Sequence, residues 1–246
     1  MKDADIFKRA EKYKAQIDAL RPFSDNMVKQ IRQYYRIGLT WSSNALEGNS
    51  LTESETKVLL EEGLTVGGKP IRDYYEATGH ARAYDFMYEL ASNHLITEND
   101  IRTLHRLFYE QIDPSQSGLY RKEKVIITGS RYPTPAPDKI ENMMSDFVRS
   151  LETLESRLHP VEFAASAHEH FAFIHPFIDG NGRVARLLMN LCLIRRGYTI
   201  AVIPPILRAE YIAALEKAHE DDSYFIEFIA ARVAETQKEL LRVLGE

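Results

Sequence analysis

Apolar positions recur among polar ones with the period of an α-helix along most of this 246-residue chain. Apolar residues recur every three or four positions, which places them on one face of an α-helix. We predict long helices over residues 3–20, 25–46, 73–91, 98–111, 138–158, 161–174, 183–196, 208–218 and 224–244. One stretch, residues 124–132, is β-rich instead, and its Gly-Ser turn predicts a short hairpin. The pattern therefore predicts an all-α bundle that carries one β-hairpin.

Capping signals set the ends of several helices. Ser24 offers a side-chain acceptor at the start of the second helix, and Gly48 is its stop signal. Thr52, with Glu55 three positions later, has the spacing of a capping box and begins a shorter helix. Thr97 is a further candidate N-cap.

Composition and charge restrict the class of protein. The chain is 44% hydrophobic and 27% charged, and its net charge of −5 argues against bulk nucleic-acid binding. Its charged start is no signal peptide, and no apolar stretch approaches membrane-spanning length. The single cysteine, Cys192, cannot form an internal disulfide, which fits a reducing compartment. We expect a soluble, cytoplasmic protein with neither a nucleic-acid nor a membrane partner.

The strongest chemical signal is the segment 175–186, HPFIDGNGRVAR. His175 and the carboxylate of Asp179 precede a Gly-Asn-Gly turn that opens onto a helix. The first N–H groups of a helix are unpaired and lie at its positive end, so they suit an anion. Arg183 and Arg186 lie three positions apart, on one face of that helix. The segment therefore predicts a nucleotide phosphate site.

Two other patterns are weaker. Residues 63–69 match part of a phosphate-binding P-loop, but Pro70 replaces the hydroxyl residue that would bind magnesium. His168 and His170 flank a glutamate, yet two positions apart on a helix they point to different faces and cannot easily share a metal ion. We interpret the first as a solvent loop and the second as packing or surface residues.

The segment 175–186 resembles the Fic family signature, H-P-F-x-D/E-G-N-G-R-x-x-R, and every fixed position is present. The resemblance covers roughly residues 75–235 and implies a Fic-type helical bundle with a hairpin flap. Most members transfer AMP from ATP to a Ser, Thr or Tyr hydroxyl of a protein and release pyrophosphate. The resemblance thus implies a protein adenylyltransferase.

The resemblance also implies a role for each residue of the signature. His175 is the general base, and Asp179 holds Mg²⁺ or Mn²⁺. Arg183 holds the leaving phosphates, and Arg186 holds the γ-phosphate. The anion hole is made by backbone N–H groups around Gly180, Asn181 and Gly182.

Gly182 bears on the reaction type. Family members that act as kinases carry a lysine at this position, so the glycine favours AMP transfer. Relatives that transfer phosphocholine keep a similar core and stay an alternative. A hydrolase that removes AMP from a modified protein is a second alternative, because it would use the same residues.

A second segment, Ser43-Asn44-Ala45-Leu46-Glu47-Gly48-Asn49, resembles the inhibitory motif of the family, S/T-x-x-x-E-G/N. Ser43 and Glu47 occupy its fixed places. The resemblance implies that Glu47 pairs with Arg186 and stops the γ-phosphate from docking productively. We therefore divide the chain into an N-terminal helical segment, 1–70, whose inhibitory helix spans about 24–48, and a catalytic core, 71–246, expected to form one compact unit.

The predicted hairpin, residues 124–132, resembles the flap with which relatives hold the target chain. Tyr211 and His219 fall where relatives contact the adenine, although several relatives have Asn in place of His219. The implied partners are ATP, a target protein and the chain itself as a substrate, while a homodimer stays open. Residues of the flap tip expected to face the nucleotide are Thr128, Gly129, Ser130 and Arg131.

Overall fold

The structure is a computed structural model that describes residues 6–92 and 95–246. Across these residues the chain forms ten α-helices and no β-strand. The all-α prediction is therefore confirmed. The bounds are α1 Lys8–Ala19, α2 Asp25–Ala45, α3 Glu53–Glu62, α4 Ile71–Leu90, α5 Glu98–Tyr109, α6 Ile140–Arg157, α7 Pro160–Ile174, α8 Asn181–Arg195, α9 Arg208–Lys217 and α10 Ser223–Leu244.

Local capping explains where several helices begin. The Ser24 hydroxyl accepts a hydrogen bond from the Met27 amide at 3.2 Å, which starts α2. Thr52 and Thr97 each form a reciprocal capping box, so both predicted caps are confirmed. The first helix was predicted from residue 3, but residues 3–5 lie outside the described part of the chain, and α1 begins at Lys8.

Helices α7 and α8 pack against each other at the centre of the fold. Helix α8 is buried on all sides, since every residue from Arg183 to Leu193 is buried. Cys192 is buried with them, and burial raises the pKa of its thiol. The central position of this pair fixes the C-terminal end of α7 relative to the N-terminal end of α8.

The N-terminal helices are part of the same packing. Helix α1 lies against α10, and α2 contacts α4 and α8. The Tyr35 hydroxyl donates to the backbone oxygen of Thr236 at 3.2 Å, and the Thr40 hydroxyl lies 3.0 Å from Nδ1 of the buried His80. The last turns of α2 are therefore held inside the protein, with Ser43 fully covered.

The predicted β-hairpin is not formed, which corrects that part of the fold prediction. Residues 124–127 belong to no strand or helix, and a turn follows in which the Ser130 amide donates to Ile127 O at 3.1 Å. The returning segment contains Pro133 and Pro135, which have no N–H to donate to a ladder. The segment is a loop, and we call residues 122–136 the flap loop.

None of the helices in the described ranges combines the length and the apolar character that a membrane crossing requires.

Candidate active site

His175 ends helix α7 in the left-handed conformation, with φ 50° and ψ 58°. This conformation is unfavourable for a residue with a Cβ atom and needs support from its surroundings. Two backbone contacts supply it: the His175 amide donates to Phe171 O at 3.1 Å, and its carbonyl accepts from Arg121 Nε at 2.8 Å. The chain therefore turns sharply at the histidine and leads directly into the loop 176–180.

The imidazole of His175 is held in a defined orientation. Its Nδ1 lies 3.2 Å from Ala172 O, and because a carbonyl only accepts, Nδ1 carries the proton and Nε2 carries the lone pair. Burial lowers the pKa of His175, and Arg121 adds to this, while Glu47 and Asp179 act in the opposite direction. The net lowering keeps the ring neutral at neutral pH, the form that accepts a proton.

The loop after His175 is clamped from within. The Asn181 side chain donates to Phe177 O at 2.8 Å and accepts from Phe177 N at 2.9 Å. The Phe177 ring stacks on the buried His105 ring with centroids 3.8 Å apart. Helix α8 begins two residues earlier than predicted, because Gly180 takes the left-handed conformation, φ 78°, that serves as its N-cap.

The start of α8 faces the site. Its first amide groups have no acceptor within the helix, as at any helix N-terminus, and the helix dipole adds positive potential there. Gly182 lies in this first turn, and a Cβ at its position would overlap the Glu47 carboxylate. The absence of a side chain at Gly182 thus makes room for the carboxylate of Glu47.

Arg186 is the most deeply buried guanidinium of the site, with 2% of its side chain exposed. It donates from Nε to Ser43 Oγ at 2.9 Å, from Nη2 to Ser43 O at 2.8 Å, and from Nη1 to Tyr211 Oη at 3.2 Å. Nη2 also donates to Glu47 Oε1 at 2.8 Å. The sequence prediction that places Glu47 beside Arg186 therefore agrees with the geometry.

The Glu47 carboxylate sits at the edge of the site, with 34% of its side chain exposed. Its burial alone would raise the pKa, but Arg186 and then Arg183 outweigh this effect, so the pKa lies below its usual range. Glu47 is therefore ionised at neutral pH, and its pair with Arg186 is charge-assisted.

Arg183 and Asp179 form a second ion pair at 3.0 Å, between Nη2 and Oδ1. Arg183 Nη1 also lies 3.3 Å from Glu76 Oε1, and its guanidinium covers the Phe108 ring at 4.6 Å. Burial would raise the pKa of Asp179, but Arg183, the Gly180 amide and Arg72 together lower it. Asp179 is therefore a carboxylate at neutral pH.

The donor set around Asp179 suits a divalent cation that shares its ligands with a substrate. A carboxylate is the hard oxygen donor that Mg²⁺ prefers, and Mg²⁺ commonly takes one or two carboxylates together with phosphate oxygens. Residues 6–92 and 95–246 contain no group of three or more His, Cys, Asp or Glu side chains placed to hold a metal ion. The Asp179 carboxylate therefore fits a cation that takes its other ligands from phosphate oxygens.

The flap loop packs against the C-terminal end of α9 and the residues that follow it. The Arg131 amide donates to Glu216 Oε1 at 2.6 Å, and the ring of Tyr132 stacks on the ring of His219 at 3.9 Å. On its other face His219 stacks on Phe173 at 3.7 Å. The remaining predicted flap-tip residues, on the turn next to Arg131, are Thr128, Gly129 and Ser130.

The two predicted adenine contacts lie in different surroundings. Tyr211 is buried, and its hydroxyl is shared between Arg186 and Nε2 of His168, 2.9 Å away. His219 lies in the aromatic stack with Tyr132 and Phe173. Tyr211 therefore supports Arg186, whereas His219 supports the flap loop.

Sequence reasoning missed three residues that organise the site: Arg72, Glu76 and Arg121. Arg121 donates to three carbonyl groups, those of His175, Glu123 and Pro135, and so ties the histidine to both ends of the flap loop. Arg121 donates to backbone carbonyl groups, and contacts of this kind follow no local sequence pattern. The one signal in the sequence was that helical periodicity breaks at residues 118–121. Arg72 and Glu76 lie on one face of α4 and read as ordinary helix-surface charges.

The geometry defines a class of site in an all-helical fold: a histidine in the left-handed conformation ends one central helix, and a short loop leads from it to the N-terminus of the next. Residues 95–193 match the Fic/DOC family model. A protein named Protein adenylyltransferase Fic, from Drosophila persimilis, is 39% identical over 193 residues, which cover 77% of this chain and 38% of that protein. The chain thus spans less than half the length of the curated relatives it matches.

Solved structures agree with these matches. Fic-1 from C. elegans superposes with a TM-score of 0.88 at 29% identity, covering 99% of this chain and 73% of that one. A Fic domain containing signalling protein from Bacteroides thetaiotaomicron VPI-5482 gives a TM-score of 0.86 at 28% identity, covering 94% and 95%. The chain belongs to the Fic/DOC family, and the resemblance stated from its sequence is confirmed.

Proposed function

We propose that this chain is a self-inhibited protein adenylyltransferase, which transfers AMP from ATP to a Ser, Thr or Tyr hydroxyl of a target protein. The observation that carries the proposal is the neutral, oriented imidazole of His175 beside the phosphate-binding start of α8. The name of the relatives, Protein adenylyltransferase Fic, supports the same reaction.

His175 is the proposed general base. Its Nε2 takes the proton of the target hydroxyl while the hydroxyl oxygen forms a bond to the α-phosphorus. The bond from that phosphorus to the bridging oxygen breaks, and pyrophosphate leaves. The hydrogen bond from Nδ1 to Ala172 O keeps Nε2 as the acceptor throughout the approach.

The positive groups of α8 stabilise the charge that develops on the phosphates. Arg183 is proposed to hold the leaving phosphates and Arg186 the γ-phosphate, with the backbone N–H groups of residues 180–182 as the anion hole. Both guanidinium groups are nearly covered, with 5% and 2% of their side chains exposed, so water screens them little. Asp179 is proposed to hold Mg²⁺ or Mn²⁺ with the phosphate oxygens, and such an ion neutralises phosphate charge when it is bound.

Glu47 is proposed to inhibit the enzyme by occupying the phosphate position on Arg186. Arg186 Nη2 carries two N–H groups, and these donate to Ser43 O and to Glu47 Oε1, each at 2.8 Å, so neither is left for a phosphate oxygen. Ser43 fixes the guanidinium from the other side, so Arg186 has little freedom to turn towards a nucleotide while Glu47 stays in place. In this proposal the arrangement with Glu47 on Arg186 is the resting form of the enzyme.

The remaining binding roles are proposals of the same kind. Tyr211 and His219 are proposed to line the adenine position, and the turn at residues 128–131 to face the nucleotide. The target chain is proposed to lie along residues 124–132, where residues 124–127 belong to no helix or strand and so suit strand-like pairing with a substrate segment. The chain itself is a further substrate, and the division into residues 1–70 and 71–246 stays a prediction.

A second candidate, removal of AMP from a modified protein, is favoured by the position of Glu47. Its carboxylate is ionised and partly exposed at the edge of the site, and in this second candidate it orients the attacking water molecule. The same variant separates the two reactions. Glu47→Gly raises AMP transfer if the carboxylate only inhibits, whereas it abolishes hydrolysis if the carboxylate orients the attacking water.

The test is radiolabelling of the purified Glu47→Gly protein and of its host lysate with Mg²⁺ and ATP labelled at the α-phosphate. We expect label on protein from Glu47→Gly and none from Glu47→Gly/His175→Ala, although both bind ATP. Glu62→Gly, the same change at an exposed position of α3, is the control and should behave as the unmodified protein. Label from the γ-phosphate but not from the α-phosphate would replace AMP transfer with a kinase reaction.

A further inference from the structure

Both carboxylate oxygens of Asp179 are occupied by guanidinium groups. Arg183 Nη2 donates to Oδ1 at 3.0 Å, and Arg72 Nη2 pairs with Oδ2. Arg72 lies in the first turn of α4, 107 positions before Asp179 in the chain. The carboxylate proposed to hold a cation is therefore already neutralised by two arginines.

The two arginines differ in their freedom to move. Arg183 has 5% of its side chain exposed and is held over the Phe108 ring, whereas Arg72 has 52% exposed. Arg72 has one further carboxylate partner, Glu76, four residues along the same helix at 3.1 Å. Arg72 can therefore leave Asp179 by rotation of its own side chain, with no change in the core.

The charges of the site balance in this arrangement. Three carboxylates, those of Glu47, Glu76 and Asp179, face three guanidinium groups, those of Arg72, Arg183 and Arg186. Oδ1 of Asp179 already accepts from Arg183 and from the Gly180 amide, so a divalent cation would bind at Oδ2, the oxygen that Arg72 occupies, and would add two positive charges beside Arg72. Like charges at this distance repel, and two donors cannot share one lone-pair direction.

We propose that Arg72 competes with the divalent cation for Asp179. The contact between Arg72 and Asp179 is then a second inhibitory contact, beside the pair of Glu47 with Arg186. This inference rests on the proposed function only in taking Asp179 as the cation ligand. Glu47 occupies the arginine that would hold phosphate, and Arg72 occupies the carboxylate that would hold the cation. Cation binding requires the Arg72 guanidinium to leave Asp179 and turn towards solvent, to which 52% of its side chain is already exposed.

The test measures binding of Mn²⁺ alone to nucleotide-free protein, from the loss of the electron paramagnetic resonance signal of free Mn²⁺. We expect Arg72→Ala and Arg72→Gln to lower the Mn²⁺ dissociation constant by roughly fivefold or more, within the usual range of coupling between two ligands. In an Asp179→Asn background the Arg72 substitutions should change nothing. Because no transfer reaction is measured, failure of the proposed enzymatic activity does not affect this result.

Arg82→Ala is the matched control, since it removes an arginine of the same helix that pairs with Glu110 instead. Its Mn²⁺ affinity should equal that of the unmodified protein. Equal Mn²⁺ binding by the unmodified protein and the Arg72 variants, including no binding by either, would overturn the proposal. Weaker binding after loss of Arg72, or an Arg72 effect that persists in Asp179→Asn, would overturn it as well.

Discussion

Glu47 lies so close to the α-carbon of Gly182 that a methyl group on the glycine would overlap its carboxylate. The same carboxylate reaches Arg186 at 2.8 Å, one helical turn further along α8. From the sequence, Gly182 was expected to favour AMP transfer, because relatives that act as kinases carry a lysine there. In the structure the space beside Gly182 is filled by the Glu47 carboxylate.

Because Gly182 and Glu47 are in contact, substitutions at these two positions should have non-additive effects on the free energy of unfolding. Gly182→Ala should cost about 1–3 kcal/mol in the unmodified protein, because the added methyl group is overpacked against Glu47. In a Glu47→Gly background the cost should largely disappear. Urea unfolding of the four proteins of this double-mutant cycle measures the coupling. Equal costs in both backgrounds would contradict the packing described.

Arg121 should affect turnover more than nucleotide binding. Its three hydrogen bonds fix the His175 carbonyl and both ends of the flap loop, and none of them touches Arg183 or Arg186. In the Glu47→Gly background, Arg121→Ala should lower kcat by about a hundredfold, since small displacements of a base are costly, with little change in ATP affinity. Steady-state kinetics and ATP calorimetry separate these quantities. A parallel loss of ATP affinity would assign Arg121 a different role.

The lowered pKa of His175 predicts the pH dependence of transfer. A base whose pKa lies below the ordinary value of 6.5 stays neutral, and therefore active, to lower pH. The rate of AMP transfer by Glu47→Gly should be level through neutral pH and fall only below pH 6.5. The measurement is the initial rate across buffers at constant ionic strength. An acid limb centred above 6.5 would argue against His175 as the buried base.

Three buried histidines predict loss of stability in acid. Burial lowers the pKa of His80 and His168 to about 3 and that of His105 to about 4. Below pH 6.5 the unfolded chain binds protons that the folded protein excludes, so stability is full above that pH and declines as pH falls towards 4. Each histidine contributes a slope of about 1.4 kcal/mol per pH unit in this window.

The free energy of unfolding, measured with urea between pH 7 and pH 5, gives this slope. His80→Gln should reduce this slope by the contribution of one histidine, about 1.4 kcal/mol per pH unit, because glutamine does not titrate. A slope that is unchanged in His80→Gln would show that other groups cause the acid sensitivity.

Local signals predicted much of the fold. Ser24, Thr52 and Thr97 cap helices because their side chains bond to amides only three residues away, a relationship visible in the sequence alone. The hairpin failed for an equally local reason, since the prolines at 133 and 135 cannot donate to a ladder. Both prolines follow directly after the predicted hairpin, so this reason was visible in the sequence.

The site residues that belong to a family motif were predictable from the sequence. The residues that reach the site only through contacts with distant parts of the chain were not. The pair between Glu47 and Arg186 followed from two family motifs. The contact from Arg72 to Asp179 joins positions 107 apart, and no periodicity or spacing links them. Such contacts depend on how α4 packs beside α8, which only the folded chain determines.

Ser43 lies in the last turn of α2 and is fully buried. Glu47 comes four residues later, just after the helix ends. The carboxylate on Arg186 is therefore tethered to a core helix and cannot diffuse away. ATP would compete with an intramolecular ligand whose effective concentration is the same at every protein concentration. Dilution or overexpression would leave that competition unchanged, while the level of ATP or a rotation of one side chain would shift it.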